Sequence, residues 1–239
     1  MPPCFCRDVS SSGVGLLKVG LTGGIASGKS VVGEMFVALG AHLVQADRIA
    51  HELMRPGQPV YNEVVRHFGG GILNPDLSVN RSKLAEAAFG SSTSSSPAVD
   101  SSSASQTPSR VEELNRIVHP AVIRSQEEWM EEMGSQDPNA VAIVEAALIL
   151  EAGAAKRFDR LVVVTCSDEQ RVSRFAARQK LSLDAASKEV ARRMAAQLPE
   201  AYKIKAADFV IDNSGSLDQT REQVQQVWQQ LSAEATTRR

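Results

Sequence analysis

The sequence has 239 residues, of which 43% are apolar and 23% are charged, and its formal net charge is −2. This length and apolar content predict one globular domain with a sizeable core. The near-neutral charge argues against nucleic acid as a partner, and no apolar run reaches the ~18 residues that a membrane span needs. The first residues lack the charged and apolar regions of a secretory signal, which favours a cytoplasmic protein without a membrane partner.

The cysteine content also favours a reducing compartment. Cys4, Cys6 and Cys166 are too few for a disulfide framework in a chain of this length. Cys4 and Cys6 form a C-x-C pair, which would be half of a metal site, but no group of His or Cys supplies the other half. The favoured interpretation is therefore two thiols on a loose N-terminal extension, residues 1–16.

Five short apolar runs predict buried strands. They are LKVGLT (17–22), AHLVQ (41–45), VAIVEA (141–146), LVVVTC (161–166) and DFVID (208–212). Runs without strict alternation are typical of strands buried on both faces, as in a parallel sheet. Helical patterns separate the runs, beginning with SGKSVVGEMFVALG, which ends at Gly40. The alternation predicts an open α/β fold with a five-stranded parallel sheet flanked by helices.

Two stretches interrupt this alternation with helices alone. Residues 48–133 predict a helical insertion, and residues 167–205 predict a second, positively charged helical unit. Within the insertion, the Ser-rich segment 91–109 predicts a disordered loop. A tolerated surface insertion is favoured there, with a phosphorylated linker and an accidental expansion as the alternatives. The remaining segments form the predicted core of a single domain covering 17–239: 17–47, 140–166 and 206–233.

The segment Gly23 to Ser30 matches G-x-x-x-x-G-K-[ST], the phosphate-binding P-loop, and lies between a predicted strand and a predicted helix. Glycines let backbone N–H groups surround phosphate oxygens, and the free N–H groups of the helix N-terminus favour anions. Lys29 brings a charge to the β- and γ-phosphates of ATP, and the Ser30 hydroxyl can ligate Mg²⁺. The predicted nucleotide contacts are Gly24, Ala26, Ser27, Gly28, Lys29, Ser30 and Val31.

A carboxylate follows the second predicted strand: Asp47, in VQADRIAH. The carboxyl ends of parallel strands share one sheet edge, where ligands bind, so Asp47 would lie across that edge from the P-loop. It could accept the proton of an acceptor hydroxyl or help to hold Mg²⁺. From position alone, capping the next helix is an equal alternative.

Three arginines, Arg171, Arg174 and Arg178, form a basic stripe on one predicted helix. Arginine forks suit phosphate oxygens, so the helix could close over ATP as a lid. The alternative is a solvated face paired with Asp168 or Glu169. The P-loop upstream favours the lid.

The dipeptide His119-Pro120 lies in the helical insertion, in LNRIVHPAV. Proline is tolerated in the first turn of a helix, so Pro120 predicts the start of a new one. A lone histidine is more often structural than catalytic, and position alone assigns His119 no role.

Seven sequence blocks occur in one order: VGLTGGIASGKS, QADRIAHELMRPGQP, LNRIVHP, the apolar strand with LILE, RFAARQ, ARRMAAQ and KAADFVIDNSGS. In these blocks, from Lys18 to about Leu231, the chain resembles the dephospho-coenzyme A kinase family. The resemblance implies transfer of the γ-phosphoryl group of ATP to the ribose 3′-hydroxyl of dephospho-CoA, giving CoA and ADP in the last step of CoA biosynthesis. It also implies a nucleotide-binding core, a helical CoA-binding subdomain and a lid. The expected assembly is a monomer or a weak homo-oligomer.

Residue roles follow from the family's pattern. Asp47 matches the acidic residue that activates the acceptor, and His119 matches the His-Pro on the CoA side. Arg174 matches the lid arginine near the transferred phosphate, and Arg178 matches a second one. Asn213, in IDNSG, falls in the loop that lies beside the adenine in related kinases.

Two positions depart from the family's pattern. The family commonly has Asp-x-Asp after the second strand, and here Gln45 replaces the first of the two. Glu145 stands where the family often has Asp, and it can still supply a substrate-binding carboxylate with one more methylene of reach.

Two rival readings remain. A nucleoside monophosphate kinase would share the P-loop, lid and carboxylate, but LNRIVHP argues against it. A non-catalytic ATP-binding switch needs no acceptor activator, so Asp47 together with the lid arginines disfavours it.

Overall fold

The computed structural model describes residues 15–89 and 110–238. The C-x-C pair, nearly all of the predicted N-terminal extension and the Ser-rich segment 91–109 lie outside these ranges. Within them, all five predicted strands are present together with nine α-helices, of which four lie between the second and third strands and three between the fourth and fifth.

The sheet is parallel, with strand order β2-β3-β1-β4-β5. Its strands are β1 (Leu17–Gly23), β2 (His42–Gln45), β3 (Val141–Glu145), β4 (Arg160–Thr165) and β5 (Phe209–Asp212). After β1 the chain builds one side of the sheet, and after β3 it crosses to the other side. β1 is therefore the central strand next to the switch in direction, and its carboxyl end is where ligands bind in open α/β sheets.

The helices in the described ranges are α1 (Lys29–Ala38), α2 (Ala46–Leu53), α3 (Pro59–Phe68), α4 (Arg81–Phe89), α5 (Arg110–Gln136), α6 (Asp168–Gln179), α7 (Leu183–Ala195), α8 (Glu200–Ala206) and α9 (Leu217–Thr237). Short 3-10 turns cover Gly70–Ile72 and Ala154–Arg157. Across this part of the chain, no helix combines the length and apolarity that crossing a bilayer requires.

Both faces of the sheet are buried, which explains why the strands lack a polar face. On one face, Leu21 and Val164 pack with Phe36 of α1 and Leu231 of α9. On the other, Val163 belongs to a cluster that includes Met130, Phe158 and Leu161. Burial on both sides fixes the strand positions and with them the loops at the carboxyl edge.

The described residues divide into two compact units. One contains the sheet, with the chain up to Ala46 and from Glu128 onward; the other covers 47–127. In the second unit, a 2.8 Å bond joins His67 to Glu113, and the Arg110 guanidinium lies over the Phe68 ring. The predicted division into core, CoA subdomain and lid stays a prediction.

The prediction that Pro120 starts a new helix was wrong. α5 runs unbroken from Arg110 to Gln136 with Pro120 inside it. A proline in a helix deprives the carbonyl four residues earlier, here that of Arg116, of its N–H partner. Pro120 and Arg116 are both exposed, so water can satisfy that carbonyl and the helix continues.

Candidate active site

The P-loop joins β1 to α1 and depends on glycine at its end. Gly28, the residue before α1, has φ 90°, a left-handed conformation that side chains disfavour. A Cβ built on Gly28 would lie 2.1 Å from Nδ2 of Asn213. The close approach and the backbone angle both require glycine here, as the motif predicts.

The P-loop carbonyls are held by side chains. Lys29 donates from Nζ to the Gly23 carbonyl at 3.0 Å and to the Gly24 carbonyl at 3.1 Å. The Cys166 thiol lies 3.7 Å from the Ala26 carbonyl. In a trans peptide, C=O and the next N–H point in opposite directions. A carbonyl held in place therefore also fixes the direction of the N–H that follows it.

Asn213, directly after β5, braces the P-loop from across the sheet edge. Its Nδ2 donates to the Ser27 carbonyl at 2.8 Å, and its Oδ1 accepts from Oγ1 of Thr220 at 3.0 Å. The side chain is buried, with 2% exposure. Arg174 adds a bond from Nη2 to the Asn213 carbonyl at 2.9 Å. Asn213 thus has a structural role beside its predicted position near adenine, which stays a prediction.

A carboxylate lies directly against the P-loop serine. Oε1 of Glu145, the last residue of β3, accepts from the Ser30 hydroxyl at 2.7 Å. Oε2 accepts from Nε2 of Gln45, the last residue of β2, at 2.8 Å. A second carboxylate at position 45 would repel Glu145, whereas the Gln45 amide donates to it. The two departures from the family's pattern therefore lie in register and bond to each other.

The three arginines of α6 do not form one exposed stripe. Arg171 is buried, with 1% exposure, and bonds to the P-loop, whereas Arg178 is exposed and lies over the Phe175 ring. Arg174 is half-buried, with Nη1 3.4 Å from the Ser27 carbonyl. The prediction of a uniform basic stripe was therefore wrong at Arg171. Burial of α6 against Ile25 of the P-loop is the cause.

Cys166, immediately after β4, is a free and buried thiol beside the P-loop. Burial raises its pKa, which the nearby charges of Arg171 and Arg174 oppose only in part. The thiol therefore stays protonated and acts as a weak donor to the loop rather than as a nucleophile.

The two residues predicted to act on the acceptor, Asp47 and His119, lie in the compact unit that covers 47–127. Asp47 is exposed and lies in the first turn of α2, two residues after Gln45. His119 is exposed on α5. An acidic residue in a first turn also complements the helix dipole, so the position of Asp47 fits both acceptor activation and helix stabilisation.

The sequence did not predict three side chains that support the P-loop or its neighbours. They are Asn213, which bonds to the Ser27 carbonyl, Thr220, which bonds to Asn213, and Glu200, which bonds to Arg171. The Asn213–Ser27 bond spans 186 residues and the bond from Arg171 to Glu200 spans 29, whereas Thr220 bonds to Asn213 only 7 residues away. No local pattern signals such pairings. The sequence identifies Gln45 as a departure from the family's pattern, but it does not predict the bond from Gln45 to Glu145.

These observations define a class of protein. A P-loop at the switch point of a parallel sheet, with a lysine, a hydroxyl–carboxylate pair and the Arg174 guanidinium beside it, is the site of a P-loop kinase. Such a site cradles the phosphates of a nucleotide and stabilises the charge of a transferred phosphoryl group.

The chain belongs to the dephospho-CoA kinase family, whose model matches residues 17–219. A dephospho-CoA kinase of Corynebacterium jeikeium is 38% identical over 213 residues, which are 89% of this chain and 98% of that protein. One from Moorella thermoacetica is 36% identical over 213 residues, 89% and 91% of the two chains. The crystal structure of TT1252 from Thermus thermophilus is similar with a TM-score of 0.69 at 28% identity, covering 91% of this chain and 98% of that one.

Proposed function

We propose that this enzyme transfers the γ-phosphoryl group of ATP to the ribose 3′-hydroxyl of dephospho-CoA, giving CoA and ADP. The observation that carries the proposal is the P-loop held at the sheet edge by Asn213 and Lys29, in a chain of this family. Phosphoryl transfer needs alignment and charge stabilisation more than covalent chemistry from the protein. A braced loop supplies both.

The donor half of the site would bind ATP by its phosphates. The backbone N–H groups of the predicted nucleotide contacts would face the phosphate oxygens, with the N-terminus of α1 behind them. These contacts are Gly24, Ala26, Ser27, Gly28, Lys29, Ser30 and Val31. Lys29 exchanges its bonds to loop carbonyls for the β- and γ-phosphates. Arg174 and Arg178 approach the transferred group from α6, where their charge stabilises the transition state.

The donor set at the P-loop fits a magnesium ion. Ser30 and Glu145 present hard oxygen atoms 2.7 Å apart at the carboxyl end of the sheet. In the described ranges, no three side chains of His, Cys, Asp or Glu form a metal cluster, and Mg²⁺ commonly takes few protein ligands beside phosphate oxygens. When bound, the ion would neutralise charge on the β- and γ-phosphates. Ser30 would ligate it, with Glu145 accepting from the hydroxyl or from a bound water.

The acceptor half rests on Asp47 and His119. The Asp47 carboxylate would accept the proton of the 3′-hydroxyl as its oxygen bonds to the γ-phosphorus and ADP leaves. Since Asp47 follows the end of β2 by two residues, its Cα lies within about 7.6 Å of the Gln45 Cα. His119 would contact the CoA portion of the acceptor.

An acceptor comparison tests the activity. Incubating the enzyme with Mg-ATP and dephospho-CoA, with AMP or without acceptor, and measuring ADP separates the three readings. Dephospho-CoA should stimulate ADP release strongly. Stimulation by AMP alone would indicate a nucleoside monophosphate kinase, and acceptor-independent turnover would favour a switch.

Two variants separate binding from chemistry. Lys29→Ala should weaken ATP binding and turnover together, because it removes a charge from the phosphates. Asp47→Asn should lose turnover while ATP still binds. Asp218→Asn is the matched control, because Asp218 also lies in the first turn of a helix, α9. If Asp47→Asn and Asp218→Asn had equally small effects, Asp47 would be only a helix-dipole partner.

We also infer a monomer or weak homo-oligomer in the cytoplasm. The free thiol of Cys166 supports a reducing compartment. Size-exclusion chromatography with light scattering and cell fractionation test these points. A stable oligomer or an organellar fraction would contradict them.

A further inference from the structure

A buried guanidinium lies behind the P-loop. Arg171, in the first turn of α6, donates from Nη1 to the Ile25 carbonyl at 2.9 Å and from Nη2 to the Cys166 carbonyl at 3.1 Å. A Cβ on Gly24 would lie 2.4 Å from the Arg171 Nη1. The guanidinium therefore packs directly against the loop that binds phosphate.

We propose that Arg171 is a positioning residue for ATP, held in place by Glu200; this rests on the proposed function. Because the Ile25 carbonyl points at Arg171, the Ala26 N–H in the same peptide points away from it. Ala26 is one of the predicted phosphate contacts. Arg171 thus sets the direction of a phosphate-binding N–H without touching the nucleotide.

Glu200 balances the buried charge. Its Oε2 lies 2.5 Å from the Arg171 Nη2. The other acidic neighbour, Asp168, is 80% exposed, and its Oδ1 lies 3.5 Å from Nε. A buried arginine without a close carboxylate would be strongly destabilising, so Glu200 on α8 is the partner that keeps Arg171 under the loop.

α8 is itself fixed by a second buried pair. Lys203, three residues after Glu200, places its Nζ 2.7 Å from Oε1 of Glu151 and is 2% exposed. The same carboxylate oxygen accepts from the Leu198 N–H at 3.2 Å. Glu200 therefore projects from a helix that is anchored to the chain after β3, which makes it a rigid support rather than a mobile surface charge.

The test compares the Arg171–Glu200 ion pair behind the P-loop with the Arg160–Glu234 ion pair, which lies at the start of β4. Arg171→Lys and Glu200→Gln alter the pair behind the P-loop. Arg160→Lys and Glu234→Gln alter a partly buried pair at the start of β4, where Nε of Arg160 lies 2.9 Å from Oε2 of Glu234. The readouts are the Kd for ATP by calorimetry without acceptor, the KM for each substrate and the Tm.

Arg171→Lys should raise the Kd and KM for ATP about tenfold, because lysine cannot reach both carbonyls and one charged-group hydrogen bond is worth about that factor. The KM for dephospho-CoA should not change. Glu200→Gln keeps an acceptor but removes the charge, and should raise the Kd for ATP about threefold. The two control variants should lower the Tm without changing the Kd for ATP.

An unchanged Kd for ATP in Arg171→Lys and Glu200→Gln, with a Tm loss like that of the controls, would overturn the proposal and leave a purely structural ion pair. If Arg171→Lys fails to fold, Glu200→Gln decides alone by the same criterion. Because the Kd needs no acceptor, the result stands even if dephospho-CoA proves not to be the substrate.

Discussion

Gly28→Ala would test how tightly the P-loop and Asn213 fit. The new Cβ would lie 2.1 Å from the Asn213 Nδ2, far inside van der Waals contact, at φ 90°. The backbone angle costs about 1–2 kcal/mol for a residue with a side chain. Displacing Asn213 breaks its 2.8 Å bond to the Ser27 carbonyl and leaves buried polar atoms unpaired, which costs about 1–3 kcal/mol. The expected loss is about 2–5 kcal/mol.

Two variants make this expectation refutable. Gly153→Ala adds a side chain at φ 65° with nothing within 4 Å, so it should lose only about 1–2 kcal/mol. In the double variant Gly28→Ala with Asn213→Ala the obstruction is gone, so the losses should fall short of their sum by about 1–2 kcal/mol. The assay is urea unfolding of five proteins: the wild type, Gly28→Ala, Asn213→Ala, the double variant and Gly153→Ala. Strict additivity, or a Gly28→Ala loss no larger than that of Gly153→Ala, would show that the Asn213 side chain does not obstruct a Cβ at position 28.

Three further predictions concern charge and protonation. Gln45→Asp sets a carboxylate against Glu145, and the repulsion in the variant should lower the free energy of unfolding by about 1–2 kcal/mol at pH 8. Measured by unfolding without metal, this loss relative to the wild type should shrink toward pH 5, because protonation of one carboxylate removes the repulsion. A loss that stays constant with pH would contradict the prediction. Cys166 should react with iodoacetamide far more slowly in the native protein than in the urea-unfolded protein, since burial raises the pKa of its thiol. Peptide mass spectrometry measures the two alkylation rates, and equal rates would contradict the prediction. Hydrogen bonds from Arg192 and Arg193 lower the pKa of Glu189 to about 2, so any stabilisation by these surface ion pairs is present above pH ~4.5 and lost toward pH 2. Glu189→Gln should cost less than about 1 kcal/mol by thermal unfolding at pH 7, and a larger loss would contradict a surface role.

The sheet was predictable because its strands carry their own signal. A run such as LVVVTC is apolar throughout because β4 is covered on both faces, and the P-loop follows β1 through a fixed local motif. Such features depend on neighbours in sequence. The strand positions and the placement of Lys29 and Ser30 followed from that local information.

The supports of the site were not predictable in the same way. Arg171 has the same side chain and the same helix as Arg178, yet one is buried and the other exposed. Only the position of Ile25 and Glu200, set by tertiary packing, distinguishes them. Pro120 shows the converse, because an exposed helix tolerates a residue that local rules treat as a break. Long-range contacts decide both cases.

The packing of Ile25 has a consequence for modular exchange between kinases. This P-loop residue shares a hydrophobic cluster with Phe175 and Ala176 of α6 and with Ala186 and Val190 of α7. Helices α6 and α7 and the P-loop thus share one hydrophobic cluster. A chimera with residues 167–205 of a relative would contain new side chains on the α6 and α7 side of this cluster. These side chains would no longer be matched in shape to Ile25 of the original P-loop. Helices α6 and α7 would therefore have to be exchanged together with the P-loop that packs against them.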